Sequence, residues 1–448
     1  MQSTHNGTGL TLHLVEKALA VRSTALPEDV RRVARDCLTD WLGCTFAGLH
    51  EPASRIVTEC ALQEGGARQA TLIARGTKAS VPQAALVNGT CSHALDYDDV
   101  NLALPGHVGV AILPGLLALA EHREANAAEF LAAFVAGYET ACRIGTLLEP
   151  AHYANGFHAT ATIGSLGAAV ASAHLLKLSV PQATHALGVA ATQAAGLKAM
   201  FGTMAKPLHA GLASQAGVRA ALLAQNGFSS RLDVLECAQG FAAVHGGDFH
   251  GHEALADPPG GYHLLSNIFK YHAACFSTHS TIEAVTGLRR EHALGAEQVS
   301  RIHVLAGECC VICNIQAPST GLEAKFSLRA VAAFALLGID TSRLETWNRI
   351  CEEEVQSVLQ RVQVDLVPGK GLSESVVTLE TSDGRTFRAE VDCGKPLADK
   401  AEQSRRVAAK FLAIGAPVVG EARCRRILDH LNAFPTEGNV ATLLRECR

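Results

Sequence analysis

Three carboxylates and two imidazoles crowd into one short stretch of this chain: His93, Asp96, Asp98, Asp99 and His107, with Pro105 and Gly106 just before the second imidazole. The surrounding segment is apolar and rich in alanine. Carboxylates and imidazoles are rarely buried unless they are paired or employed. Such a cluster can bind a metal or move protons. A metal held by His93, Asp96, Asp98 and His107 would lack the His-x-x-x-His or Glu-x-x-His spacing that puts ligands on one helix face. Proton transfer is therefore the expected use.

Three further stretches carry matching chemistry. Gly156-Phe157-His158 leads into a helix, so the imidazole stands near a helix N-terminus, where an anion is welcome. Lys206, Pro207 and His209 sit at another helix start. Lysine there adds charge to the positive pole of the dipole, which becomes favourable when an anion binds. Phe269-Lys270-Tyr271-His272 is expected to open a further helical run. Together these residues suggest carboxylate recognition by Lys and His, with His and Asp moving protons. Asp96 and its neighbours end an apolar helix and so meet the negative pole of its dipole. His107 is the candidate to compensate, and Gly106 and Gly109 allow close approach of backbone or ligand. No glycine-rich phosphate loop follows a strand, and no Gly-x-Ser-x-Gly elbow stands in a suitable context.

Elements that position these residues can be read from periodicity. Pro27, Glu28 and Asp29 make a helix start, and Val30, Val33, Cys37, Trp41 and Leu42 recur at helical spacing. Helices are expected from near Pro82 into the acidic cluster, then over Val110–Glu121, Ala127–Ile144, Thr160–Leu176 and Lys206–Asn226. The Thr160–Leu176 segment is nearly all small residues, the mark of a helix buried among helices. After about Gly260 the pattern changes. A strand begins at Val299. Val362, Val364 and Leu366 alternate with polar residues, as do Val377, Leu379 and Thr381. Asp383-Gly384 then turns the chain toward Phe387, Ala389 and Val391, a hairpin signal. A helix over Leu322–Leu337 lies between, and from Leu397 the chain is helical again. The expected fold is mainly α: a large all-α helical domain over 1–265 and 398–448, and a smaller α+β lid domain over 266–397.

The chain's 448 residues, 48% of them hydrophobic and only 5% aromatic, suit closely packed helices better than a β-sandwich. A net charge of −5 with interspersed signs and no basic stripe gives no reason to expect a nucleic-acid partner. No apolar run reaches the ~20 residues of a membrane span, and the segment starting Met1-Gln2-Ser3-Thr4-His5 lacks a signal-peptide pattern. A cytoplasmic protein is expected. The fourteen cysteines are expected to be reduced and mostly buried. Cys309, Cys310 and Cys313 lack a second pair for a structural zinc site, and strand alternation accounts for their spacing.

His93 through Asp99, Gly156 through Thr160, Lys206 through Gly211 and Phe269 through His279 together resemble the MmgE/PrpD family, in order and over nearly the whole chain. Members include 2-methylcitrate dehydratase, cis-aconitate decarboxylase and iminodisuccinate epimerase. The resemblance implies a large all-α domain and an α+β lid with the active site between them, a homodimer, and chemistry without metal or cofactor on a small di- or tricarboxylate. It places Asp96, His107, His158, Lys206 and Lys270 at active-site positions, the first four as catalytic residues and Lys270 against the substrate; His209, Arg329 and Cys275 are further substrate-binding candidates on their own chemistry. Three departures stand out. A Ser-x-x-Tyr motif reads Ser327 to Ala330 here, without the phenol. A threonine after the acidic cluster is Val100, and a histidine near Lys270 is Cys275. Losing a hydroxyl acid is least awkward for a reaction with no leaving group, so the expectation leans to an epimerase of the iminodisuccinate type. A methylcitrate-type hydro-lyase or a cis-aconitate-type decarboxylase is the alternative, and a silent carboxylate binder the non-enzymatic one.

Overall fold

The computed structural model describes residues 9–246, 249–437 and 439–448. The segment around Met1 to His5 lies outside them. The chain divides into two compact units, Met1–Phe269 with Leu397–Arg448, and Lys270–Pro396.

The first unit is a helical assembly. Its helices include Glu28–Ala47, Val81–His93, Val108–His122, Ala127–Leu148, Ala159–Leu175 and Ala205–Gln225, with one small antiparallel hairpin of β1 (Ala70–Leu72) and β2 (Thr77–Ala79). Local signals start these helices. Ser80 and Asn126 each close a capping box with a side chain three residues on, Gln83 and Glu129. The Ala159–Leu175 helix is buried along all its residues but His174, as its small side chains require. It packs on Ala127–Leu148 and Ala205–Gln225. Gly89 brings Val81–His93 against Ala205–Gln225 so closely that a Cβ there would lie 2.7 Å from the Gly211 Cα. The last helices, Lys400–Val419, Glu421–Glu437 and Val440–Glu446, belong to this unit, and Lys400–Val419 packs on Glu28–Ala47. Phe46 and Phe411, both fully buried, meet there at 6.1 Å between ring centroids. Burial of one such side chain stabilises the fold by about 1.5–3 kcal/mol.

The second unit is α+β. Its four-stranded sheet runs in the order β4 (Val362–Val367), β3 (Val299–Gly307), β5 (Glu374–Thr381), β6 (Thr386–Asp392). β3 pairs parallel with β4 and antiparallel with β5. β5 and β6 form the hairpin around Gly384. The helices His279–Glu291 and Leu328–Leu337 pack on each other, and His279–Glu291 lies on β5 and β6. A mainly α fold with a smaller α+β region is therefore the architecture.

Three local expectations need correction. Lys270 does not open a helix: the chain is irregular to Cys275, and the helix starts at His279. The run expected over Leu322–Leu337 is two helices, Gly321–Ala324 and Leu328–Leu337, because Ser327 caps a new start by accepting from the Ala330 N–H. Cys309, Cys310 and Cys313 lie in a 3-10 helix, Glu308–Cys313, rather than in a strand.

Candidate active site

The Val81–His93 helix delivers His93 at its last turn, and the acidic residues follow in the loop. Asp96 has φ 51°, the left-handed region that Asp tolerates better than most residues. His107 and His158 are the residues immediately before the Val108–His122 and Ala159–Leu175 helices. The His107 backbone N–H donates to Thr160 Oγ1 at 2.9 Å, tying these two helix starts together. Gly106 makes this approach fit, since a Cβ there would stand 2.9 Å from the same oxygen.

The side chains converge. His107 Nε2 is 3.2 Å from Asp96 Oδ1, and Lys206 Nζ is 2.7 Å from the same oxygen. His107 Nδ1 is 2.9 Å from Asp98 Oδ2, while His93 Nδ1 is 2.8 Å from Asp98 Oδ1. One buried carboxylate thus serves two imidazoles. The charge that the acids bring to the helix end is met by His107 and Lys206, with His93 paired to Asp98. His158 Nδ1 lies 3.0 Å from His209 Nδ1, so one ring donates to the other. The His93 and His158 rings are nearly parallel, with centroids 6.1 Å apart. Phe201 stands edge-on to His158, and Lys206 Nζ is 5.2 Å from the centre of the Phe201 ring.

Burial and charge sort the protonation states. Burial works against ionised Asp98, but His107 and His93 outweigh it and hold its carboxyl well below the usual range. Burial lowers His93, against the pull of Asp98, so it is a neutral donor. Burial, reinforced by His93, Lys206, His107 and His209, pushes His158 down to about 2. Burial and Lys206 also lower His209. Behind the site, burial, Asp40 and Asp98 raise Asp99 to about 7. Lys410 reaches this layer from the Lys400–Val419 helix, with Nζ 2.6 Å from Asp40 Oδ1 and 3.9 Å from the centre of the Tyr97 ring. Burial raises Asp40 to about 6, although Lys410 opposes it. The arrangement can donate a proton from one imidazole, hold a second imidazole neutral, and offer an ammonium to an anion.

Of the residues singled out from sequence, Asp96, His107, His158, Lys206 and His209 come together in the first unit. The second unit holds Lys270, Cys275 and Arg329. Lys270 is buried. The Arg329 guanidinium donates to Asn314 Oδ1 at 2.8 Å. Asp98 and His93 were visible only as members of the acidic stretch; their joint role needs the fold, because nothing in their spacing pairs Asp98 with His107. Thr160 was visible only as part of the Gly156–Thr160 stretch, and the Asp40–Lys410 pair carried no sequence signal. His93, Asp96, Asp98 and His107 also offer one donor atom each within 4.8 Å of one another, close enough for a metal ion.

Comparison with known proteins agrees with the arrangement of the chain. Residues 12–253 match the MmgE/PrpD N-terminal domain and residues 272–433 the MmgE/PrpD C-terminal domain. The chain is similar to the cis-aconitate decarboxylase of Aspergillus terreus, 24% identical over 473 residues that span 98% of this chain and 95% of that protein. It is 32% identical over 358 residues to the cis-aconitate decarboxylase of Homo sapiens, covering 73% of each chain. The mouse cis-aconitate decarboxylase is 28% identical over 387 residues, with 82% of this chain and 78% of that protein covered. Since both family domains match, in order and over most of its length, the chain belongs to the MmgE/PrpD family of enzymes.

Proposed function

We propose that this protein is a lyase that removes carbon dioxide from a small unsaturated tricarboxylate of the cis-aconitate type. The relatives named above are cis-aconitate decarboxylases, which favours carbon–carbon cleavage over the epimerase expected from the absent phenol. The observation that carries the proposal is the His107 ring set between Asp96 and Asp98, with Lys206 on the same Asp96 oxygen.

Loss of a carboxylate from the CH2 group breaks one C–C bond. Its electron pair becomes a new double bond, and the old double bond shifts its pair to the carbon beside a remaining carboxylate. That carbon must take one proton, so the reaction needs a positioned acid and preorganised positive charge. His107, with a carboxylate oxygen within 3.2 Å of each ring nitrogen, fits the acid in its doubly protonated form. Counted in that form, Asp96, Asp98, Lys206 and His107 sum to zero, so an incoming anion meets no net repulsion. Lys206 is the carboxylate partner, drawn from Asp96 when substrate binds. Neutral His158 orients the reacting carbon through its Nε2.

Epimerisation of an imino-linked dicarboxylate remains a second reading on one observation: the position expected to hold a tyrosine is Ala330, a buried methyl in the first turn of its helix. Proton NMR in heavy water with cis-aconitate, methylcitrate and iminodisuccinate separates these reactions. Release of carbon dioxide, with one deuterium entering beside a carboxylate, supports the decarboxylase. Inversion with exchange and no alkene makes the protein an epimerase, and loss of water from methylcitrate makes it a hydro-lyase.

A further inference from the structure

The first unit contains a buried cation that the reaction above does not use. Lys410 lies on the inner face of the Lys400–Val419 helix, among Val407, Phe411 and Ile414, and is itself buried. Its Nζ is 2.6 Å from Asp40 Oδ1, donates to the Tyr97 carbonyl at 2.5 Å, and stands 3.9 Å from the centre of the Tyr97 ring. Asp40 comes from the Glu28–Ala47 helix, on which the Lys400–Val419 helix packs. Burial works against the charged amine, but nearby acids, chiefly Asp40, outweigh it and keep Lys410 protonated. The carbonyl it holds belongs to the peptide that joins Tyr97 to Asp98. It therefore lies between Asp96 and Asp98, the two carboxylates on either side of His107. The loop carrying them is tied at its start by the Asp96 N–H, which donates to the His93 carbonyl at 3.1 Å. Past its end, Val100 and Ile268 exchange backbone hydrogen bonds of 2.8 Å. Between those ties the bond from Lys410 fixes the middle of the loop.

We infer that Lys410, aimed by Asp40, is a positioning residue: by holding the Tyr97 carbonyl it sets where Asp96 and Asp98 stand against His107. It acts through the loop and not on the reacting atoms. Packing alone does not call for such a pair, since apolar side chains of similar volume commonly stabilise a buried site as well or better. A charged donor, however, makes a stronger hydrogen bond to a carbonyl than a neutral one does. The tolerance at His107 is small, with carboxylate oxygens at 3.2 and 2.9 Å from its two ring nitrogens. A displacement of about 1 Å at a reacting group can cost about 10²-fold in rate. The inference rests on the reading that His107 is the acid.

The test compares the full chain with its D40N and D40N/K410M variants. D40N keeps the donor and loses the charge that aims it. D40N/K410M loses donor and charge together, so no buried charge is left alone. In D40N/K410M kcat should fall by about 10²-fold with KM little changed, and in D40N it should fall less. Nitrogen-15 NMR of the histidines gives a readout without substrate. The signals of His107 and His93, both held by Asp98, should shift in D40N/K410M. Those of His152, bonded to Thr162 Oγ1 and the His245 carbonyl, should stay. Unshifted His107 and His93 signals, or a wild-type kcat per folded chain with only a lower melting temperature, overturn the inference. Should D40N/K410M not fold, D40N decides alone: a reduced kcat at unchanged KM with the same NMR shifts supports the role, and wild-type values overturn it. Failure of the decarboxylase proposal shows separately, as absence of carbon dioxide release by the wild type, and leaves the NMR comparison intact.

Discussion

Asp98 and His107 are joined at 2.9 Å, Oδ2 to Nδ1, while the other Asp98 oxygen takes His93 Nδ1 at 2.8 Å. A carboxylate so placed sets which ring nitrogen carries the proton in both imidazoles. In His107 it leaves Nε2 facing Asp96. Asparagine has nearly the same shape but offers one acceptor and one donor, so in D98N one imidazole must change tautomer or turn. The expected outcome is a fall in kcat of about 10³–10⁴-fold, as when a triad aspartate becomes asparagine, with little change in KM and a normal melting transition. Nitrogen-15 NMR of the histidines should show a tautomer change. Retained kcat in a folded D98N would mean that Asp98 is structural only.

Lys206 is expected to act at a distance of one hydrogen bond from the substrate. K206M removes the ammonium that shares Asp96 Oδ1 with His107. An uncompensated Asp96 then faces an anionic substrate. Loss of one preorganised charge of this kind costs roughly 10²–10³-fold, and here both kcat and KM should suffer. Steady-state kinetics with unchanged parameters would remove Lys206 from the site.

His158 offers a pH test. With burial and its cationic neighbours holding it near 2, its charge does not change between pH 5 and 9. Any acid limb of kcat/KM in that range belongs to another group. H158Q should lower the rate by about 10²–10⁴-fold while leaving the position of that limb unchanged. Disappearance of the limb in H158Q would show that His158 titrates there after all.

Much of the fold was legible from sequence because its signals are local. The small-residue helix, expected over Thr160–Leu176, is Ala159–Leu175, since a segment of alanine, glycine and serine can only be buried by close neighbours. The hairpin around Gly384 followed from alternation on both sides. Where long-range hydrogen bonds decide, sequence failed. The segment after Phe269 has helical composition, but Ala273 N–H bonds to the Thr341 carbonyl and Cys275 N–H to that of Lys325, and these contacts hold it out of a helix. The short β1–β2 hairpin went unseen because three-residue strands carry too few alternations to register. In the site, the acidic stretch announced itself by composition. The bridging by Asp98 did not, since His107 reaches it only once the loop folds back and Thr160 fixes the start of the next helix.

Asp99 couples the site to stability. In the folded protein burial and the charges of Asp40 and Asp98 raise it to about 7, against an unfolded value near 3.9. Between about pH 4 and 7 the folded state therefore keeps a proton that the unfolded chain has lost. Stability from this group is present at low pH and falls as pH rises through that window, by up to roughly 4 kcal/mol. D99N cannot ionise and is exempt. Calorimetry should find D99N and wild type closest at about pH 4, with D99N increasingly the more stable as pH rises to 8. A gap that is constant with pH would show that Asp99 is not the titrating group.

The same contacts decide how the cluster treats metal. His93, Asp96, Asp98 and His107 come within 4.8 Å of one another, so distance alone would admit a divalent cation. The partners argue otherwise. Both Nδ1 atoms are turned to Asp98, and the Asp96 oxygen already holds the Lys206 ammonium at 2.7 Å. A divalent cation would have to displace these bonds and sit beside a fixed positive charge, where repulsion at an effective dielectric near 20 amounts to about 8 kcal/mol at 4 Å. Purified protein should therefore contain well under one metal per chain by mass spectrometry, and dialysis against a chelator should leave turnover unchanged. K206M, with the ammonium gone, should bind zinc more tightly than wild type in a calorimetric titration. One tightly held metal per wild-type chain, with activity lost on chelation and restored by the ion, would turn the cluster into a metal centre and His107 into a ligand rather than an acid.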